Sequence, residues 1–218
     1  MKGLFLCGAN CTVDVWSPLK EIMVGYDLTF VEYPHAIIQN ASSISDITRW
    51  VYKTYSGSPY DFIVGHSMGG IITLELIANF GFNCEKIIII ESNLKPAKEH
   101  YRNLMLPENM KYLGHMIIPM LQSEAPYYGD ALKRSMRENF DYTDYVKKID
   151  KPVYAIYGDR GQINYENKIS DLGLDEVIIK HMEFSFVENS CHMPMVENPK
   201  GLFSLLTDIL SNSLHWQK

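Results

Sequence analysis

Several things are scarce in this chain, and each scarcity excludes something. Its 218 residues hold only four cysteines, at positions 7, 11, 84 and 191, with no Cys-x-x-Cys pair and no zinc-ribbon spacing. That excludes a disulfide scaffold and fits small buried thiols in a reducing compartment. Cys7, Cys11 and Cys191 have no carboxylate or histidine at a ligand spacing, so no metal is expected. There is no basic run either. Twenty Lys and Arg against 26 Asp and Glu leave a net charge of −6, so nucleic acid is not an expected partner. No stretch of about 18 apolar residues occurs, and no membrane span is expected. The apolar run Leu4-Phe5-Leu6 before Cys7 falls far short of a signal peptide's core of about 7–15 residues, so the expectation is a soluble, cytoplasmic protein. Tryptophan is sparse at three, whereas Met and Tyr reach 11 and 14.

The rest of the composition is ordinary globular material, with 46% apolar and 21% charged residues. A chain this long buries roughly 70% of its unfolded surface and needs no disulfide or metal to hold a core; no cofactor is expected. Short apolar runs bounded by turn signals predict strands at Lys2–Cys7, Leu28–Tyr33, Asp61–Gly65, Lys86–Glu91, Pro152–Tyr157 and Val177–Phe186. Helices are predicted at Asp46–Tyr55 behind a serine cluster, at Met68–Phe80 ending on Gly81, and at Pro199–Ser211 with a one-sided apolar stripe. Alternating strands and helices predict an α/β protein: a mostly parallel six-stranded sheet with helices on both faces.

Lys95–Tyr145 breaks the alternation. Its 51 residues contain no convincing strand and far exceed the usual connection of about 2–6 residues. The chain therefore divides into a core at 1–94 and 146–218 and a helical cap insertion of two to four short helices at 95–145. Eleven of the chain's 25 Met and Tyr residues fall in that insertion. They are either flexible filler for a small subdomain or an adjustable apolar roof over a pocket.

The chemistry is read at the end of the third strand. Phe62-Ile63-Val64-Gly65-His66-Ser67-Met68-Gly69-Gly70 carries an apolar strand through Gly-x-Ser-x-Gly straight into a helix. A nucleophile at such a tip has a strained backbone, so its neighbours must lack bulk. Ser67 needs a base, because a free hydroxyl is a poor nucleophile at neutral pH. His66 is locked inside the turn, and His35, His100, His115, His181 and His215 have no supporting context. His192 follows the last strand in a turn-rich loop, and in a parallel sheet that loop shares an edge with Ser67. It is the expected base.

Gly-His-Ser-Met-Gly-Gly, followed by His-Met-Pro-Met-Val-Glu-Asn-Pro, resembles the α/β-hydrolase fold superfamily. Leu6-Cys7-Gly8-Ala9-Asn10 and Trp16-Ser17-Pro18-Leu19 resemble the strand, oxyanion turn and tryptophan that open many members, so the likeness spans nearly the whole chain. The departures are Cys7-Gly8 in place of His-Gly, no leading antiparallel strands, and Glu32-Tyr33-Pro34-His35 in place of Asp-x-Pro-Gly-x-Gly. The resemblance implies an oxyanion hole of the Met68 and Ala9 N–H groups. It also implies an acid to orient His192, with two candidates. Asp159 stands two positions before the usual place on the penultimate strand. Glu91 ends the four-isoleucine strand, where members such as haloalkane dehalogenases carry theirs, and a carboxylate there is expensive to bury without a purpose. Glu91 is preferred.

The implied activity is a serine hydrolase cleaving an ester or thioester with an apolar acyl group through a Ser-His-acid triad and an acyl-enzyme, carboxylesterase-like within EC 3.1.1. The alternatives are a non-hydrolytic small-ligand receptor on the same scaffold, or a C–C bond hydrolase or lyase.

Overall fold

The computed structural model describes residues 1–137 and 140–211; His215 lies outside the described residues. Six strands form one sheet: β1 (Lys2–Leu6), β2 (Asp27–Val31), β3 (Phe62–His66), β4 (Lys86–Ile90), β5 (Val153–Gly158) and β6 (Met182–Val187). Their order is β2-β1-β3-β4-β5-β6 and every pairing is parallel. Strands β3, β4 and β5 are buried along their whole length, as the apolar runs Phe62-Ile63-Val64 and Ile87–Ile90 require for strands covered on both faces.

The helices are α1 (Ser17–Ile22), α2 (His35–Asn40), α3 (Ile44–Tyr55), α4 (Met68–Phe80), α5 (Pro107–Glu124), α6 (Asp130–Arg137), α7 (Thr143–Lys148), α8 (Glu176–Ile179), α9 (Pro194–Glu197) and α10 (Pro199–Ser211). The chain moves one way from β1 to β2 and the other way from β3 onward. Crossovers of one hand then put the connecting helices on opposite faces. Accordingly α1, α9 and α10 pack together, and α3, α4 and α7 form a separate group. The serine cluster starts α3 with a capping box between Ser43 and Asp46, and Gly81 ends α4 in the left-handed conformation at φ 66°.

The sheet corrects one predicted strand. Val177–Phe186 splits into α8 and β6, with His181 between them. The ladder with β5 begins at Val153, which pairs with Met182 and donates its N–H to the His181 carbonyl at 3.2 Å, so it does not extend back over residues 177–180. They coil instead, which buries Ile178 and leaves Val177 58% exposed. A short β-branched run does not distinguish a strand from a helical turn by composition. The helices α1 and α2 were not expected.

The segment between β4 and β5 contains no strand among its described residues. It holds α5, longer than expected at 18 residues, then α6 and α7. The predicted boundary at 145 falls inside α7, which packs on α4.

Candidate active site

The reversal of strand order between β1 and β3 opens a crevice at the carboxyl ends of these parallel strands, where ligands bind in open α/β sheets. Ser67 sits there, between the last residue of β3 and the first of α4, with φ 53° and ψ −118°. This backbone is outside the ordinary regions for a residue with a Cβ, and its neighbours make it feasible. A Cβ on Gly65 would run into the carbonyl oxygen of Gly69, and one on Gly69 into that of Leu6. The two glycines thus let α4 start pressed against β1 and β3. Ser67 Oγ makes no hydrogen bond to a described residue.

His66, excluded above as a base, has a different position from the one a surface residue would take. It is buried, and its Nε2–H donates to the backbone carbonyl of His192 at 2.8 Å. Burial, reinforced by the nearby His192 ring, lowers its pKa from the ordinary 6.5 to about 3. The neutral ring therefore pins the loop of His192 to the elbow.

The His192 side chain is 25% exposed, and its Nδ1 lies 3.4 Å from Oε2 of Glu91, which is fully buried. Glu91 directly follows β4, at φ 50°. Its Oε1 accepts from Gly158 N–H and from Nη1 of Arg160, and its Oε2 from Nη2 of Arg160, each at 2.6 Å. Arg160 is itself 2% exposed, donates Nε–H to the His100 carbonyl and stacks over the Tyr101 ring. Burial pushes the Glu91 carboxyl up, but the His192 and Arg160 contacts outweigh it, so its pKa lies below the ordinary value.

Asp159 is engaged elsewhere. Its Oδ1 accepts from the backbone N–H of Gly161 and Asn189 at 2.8 and 2.7 Å, clasping two loops, and it makes neither a hydrogen bond nor an ion pair with His192. Asp159→Asn is expected to reduce stability by about 1–2 kcal/mol, the scale for a weakened charge-assisted bond, with turnover kept within a few-fold. Parallel denaturant midpoints and initial rates check it; a loss of turnover above about a hundredfold would return Asp159 to the catalytic set.

Neither Ala9 nor Met68 spends its backbone N–H on a described acceptor, and both residues line one cavity with Ser67, Glu91 and His192. Its volume is about 560 Å³, within the usual range for ligand sites. The core adds Ile44 and Ile71, and the insertion adds Arg102, Lys133, Met136, Arg137, Phe140 and Tyr142. Of the eleven Met and Tyr residues of the insertion, Met136 and Tyr142 line the cavity; Tyr101, Met105 and Tyr128 are buried as packing, and Tyr112 faces solvent. Filler was the better description for most of them.

His35 pairs with Glu124 at 3.0 Å, His100 stacks on Tyr165, His181 contacts the Val177 carbonyl and His115 is exposed; none lines the cavity. Sequence reasoning missed Arg160, His66 in its pinning role, and Glu197. Oε2 of Glu197 accepts from Cys191 and Met193 N–H, and its Oε1 from Leu106 N–H and Asn109, tying the His192 loop to the insertion. A glutamate five residues past the expected base and at the end of a helical turn was the available signal.

All four cysteines are free and buried, and among the described residues no helix is long and apolar enough to cross a membrane. No protein-family model matches the chain. A curated relative, the alpha/beta hydrolase domain-containing protein VTE7 of Arabidopsis thaliana, is 23% identical over 194 residues, covering 76% of this chain. The chain spans only 57% of that relative's length. Among solved structures, MenH from S. aureus superposes with a TM-score of 0.72 at 14% identity, over 96% of this chain and 93% of that one. The carboxylesterase CesB of Bacillus subtilis gives 0.63 at 16% identity, over 98% and 84%. With its parallel sheet, its strand-to-helix serine and these likenesses, the chain has the α/β-hydrolase fold.

Proposed function

We propose that this protein is a serine hydrolase that cleaves an ester or thioester with an apolar acyl group, carboxylesterase-like in its chemistry. The observation that carries the reading is the convergence on one cavity of Ser67 at a positive φ, His192, and Glu91 3.4 Å behind it. The likeness to CesB, described as a carboxylesterase, supports it.

In this reading Ser67 Oγ attacks the acyl carbonyl while His192 removes its proton, a general-base contribution of about 10²–10⁴-fold. The carbonyl oxygen becomes an oxyanion held by the Ala9 and Met68 N–H groups, each worth about 10²–10³ in kcat. The N-terminus of the 13-residue α4 adds its positive dipole end there. His192 returns the proton to the departing alcohol or thiol, leaving an acyl-enzyme on Ser67. Water, deprotonated by His192, then releases the acid. Glu91 orients the imidazole and supports its cation, and Arg160 holds Glu91 in place. Asp159 has the structural role of a loop clasp. Ile44, Ile71, Met136 and Phe140 offer the acyl chain an apolar lining.

A fluorophosphonate probe tests this and separates it from a receptor role. The wild type is expected to be labelled stoichiometrically and Ser67→Ala not at all. Absence of labelling on the folded wild type would overturn the hydrolase reading.

A further inference from the structure

Charge inside the cavity runs against the charge of the chain. The protein as a whole carries −6, yet three cations, Arg102, Lys133 and Arg137, line the pocket above Ser67. The acid in that lining, Glu91, is already matched by the bidentate bonds of Arg160. None of the three cations forms an ion pair with a described residue. Other cations of the same insertion do find carboxylates: Lys95 approaches Asp141 and Asp175, Lys98 pairs with Asp171, and Lys111 with Glu108.

The local placement also opposes a purely structural role. Lys133 and Arg137 stand four residues apart on α6, with Met136 between them, so they share one helical face and repel each other. The helix dipole accounts for a cation in the last turn, and Arg134 supplies one without lining the cavity. It does not account for Lys133, nor for Arg102, which arrives from a different part of the insertion. Arg102 donates Nε–H to the Ala97 carbonyl at 3.0 Å, which anchors the guanidinium with both terminal nitrogens unpaired among the described residues. Two guanidinium groups and an ammonium that line one cavity with a nucleophile, without an ion pair among the described residues, are donors that suit an oxyanion.

We propose that the substrate cleaved at Ser67 carries an anionic group, a carboxylate or a phosphate, which Arg102, Lys133 and Arg137 bind while the apolar lining takes the hydrocarbon. This rests on the serine-hydrolase reading and narrows its substrate class. The anion can sit on either side of the scissile bond: on the far end of the acyl chain, or on the leaving group.

Two matched pairs distinguish these sources. For the acyl side, 4-nitrophenyl hexanoate is compared with 4-nitrophenyl hydrogen adipate, which ends in a carboxylate. For the leaving-group side, hexanoyl N-acetylcysteamine is compared with hexanoyl coenzyme A, which adds phosphates. In one pair the anionic member is expected to show about tenfold higher kcat/KM, because partly exposed charges contribute a few-fold each. Raised ionic strength should shrink that ratio. Arg102→Gln, Lys133→Gln and Arg137→Gln should each lower the ratio and together bring it near one, whereas Arg137→Lys should preserve most of it. A wild-type ratio near one in both pairs, with Ser67 labelled by fluorophosphonate, overturns this inference and leaves the hydrolase reading standing. A ratio that the Gln variants do not move removes the assignment to these residues. An unlabelled Ser67 overturns both.

Discussion

Glu91→Gln is expected to lower kcat by about 10³–10⁴-fold, with Ser67 and His192 still in place. The carboxylate Oε2 lies 3.4 Å from His192 Nδ1 and accepts; an amide nitrogen there would donate, favour the wrong imidazole tautomer and offer no charge to the imidazolium. The same change strikes the fold, because Arg160 would be left as a buried guanidinium facing a neutral group. Breaking one side of such a pair costs about 3–5 kcal/mol. A second variant separates the two effects. Replacing both partners, Glu91→Gln with Arg160→Met, removes the stranded charge and should recover much of the stability, since an apolar substitute for a buried pair is often neutral. It should not recover turnover. Denaturant midpoints and initial rates on an activated ester measure both axes. A Glu91→Gln protein that turns over within a few-fold of wild type would show that Glu91 is not the acid.

Acid should destabilise the protein through His66. Its folded pKa of about 3 lies below its ordinary 6.5, because burial and the neighbouring His192 disfavour the cation. Between those values the unfolded chain binds a proton that the folded chain does not, so stability falls as pH falls, by about 1.4 kcal/mol per pH unit. The contribution is constant above pH 6.5. At pH 4 it amounts to a loss of about 3 kcal/mol, a large part of the usual stability of a domain. Glu91 works in a different window. Its depressed pKa means that its stabilisation is present above the ordinary carboxylate pKa and is lost only as pH falls through the still lower folded value. His66→Asn, which keeps a donor for the His192 carbonyl but does not titrate, should start less stable at pH 7 and decline less steeply from pH 6.5 to 4. Parallel declines in unfolding free energy for the two proteins would remove His66 as the source. The turnover of this variant should also drop, since the His66 bond at 2.8 Å holds the loop that carries His192.

Much of this architecture was legible because the signals are local. Asp61–Phe80 encodes the elbow in one stretch: an apolar run, two glycines that only a close backbone approach explains, and an apolar helix. The position of His192 beside Ser67 was legible from topology, because parallel strands deliver their following loops to one edge. The choice between Glu91 and Asp159 was open for a physical reason. Both follow neighbouring strands on that edge, and strand position does not say which carboxylate turns toward the imidazole and which captures backbone N–H groups. In the fold Arg160, adjacent to Asp159 in sequence, reaches back to Glu91.

Most Met and Tyr side chains of the insertion pack against the core, while Met136 and Tyr142 reach the cavity. The cavity's cations are scattered at 102, 133 and 137, diluted among acids that pair with other lysines, and no composition count isolates them. The sequence by itself determined the parallel sheet, the strained serine and the edge on which its partners lie, because strand burial, glycine spacing and helix caps act over a few residues. Tertiary structure was needed to see that Glu91 lies 3.4 Å from His192, that His66 clasps its loop, and that three cations without an ion pair among the described residues share the cavity with Ser67, because each depends on side chains brought together from distant segments.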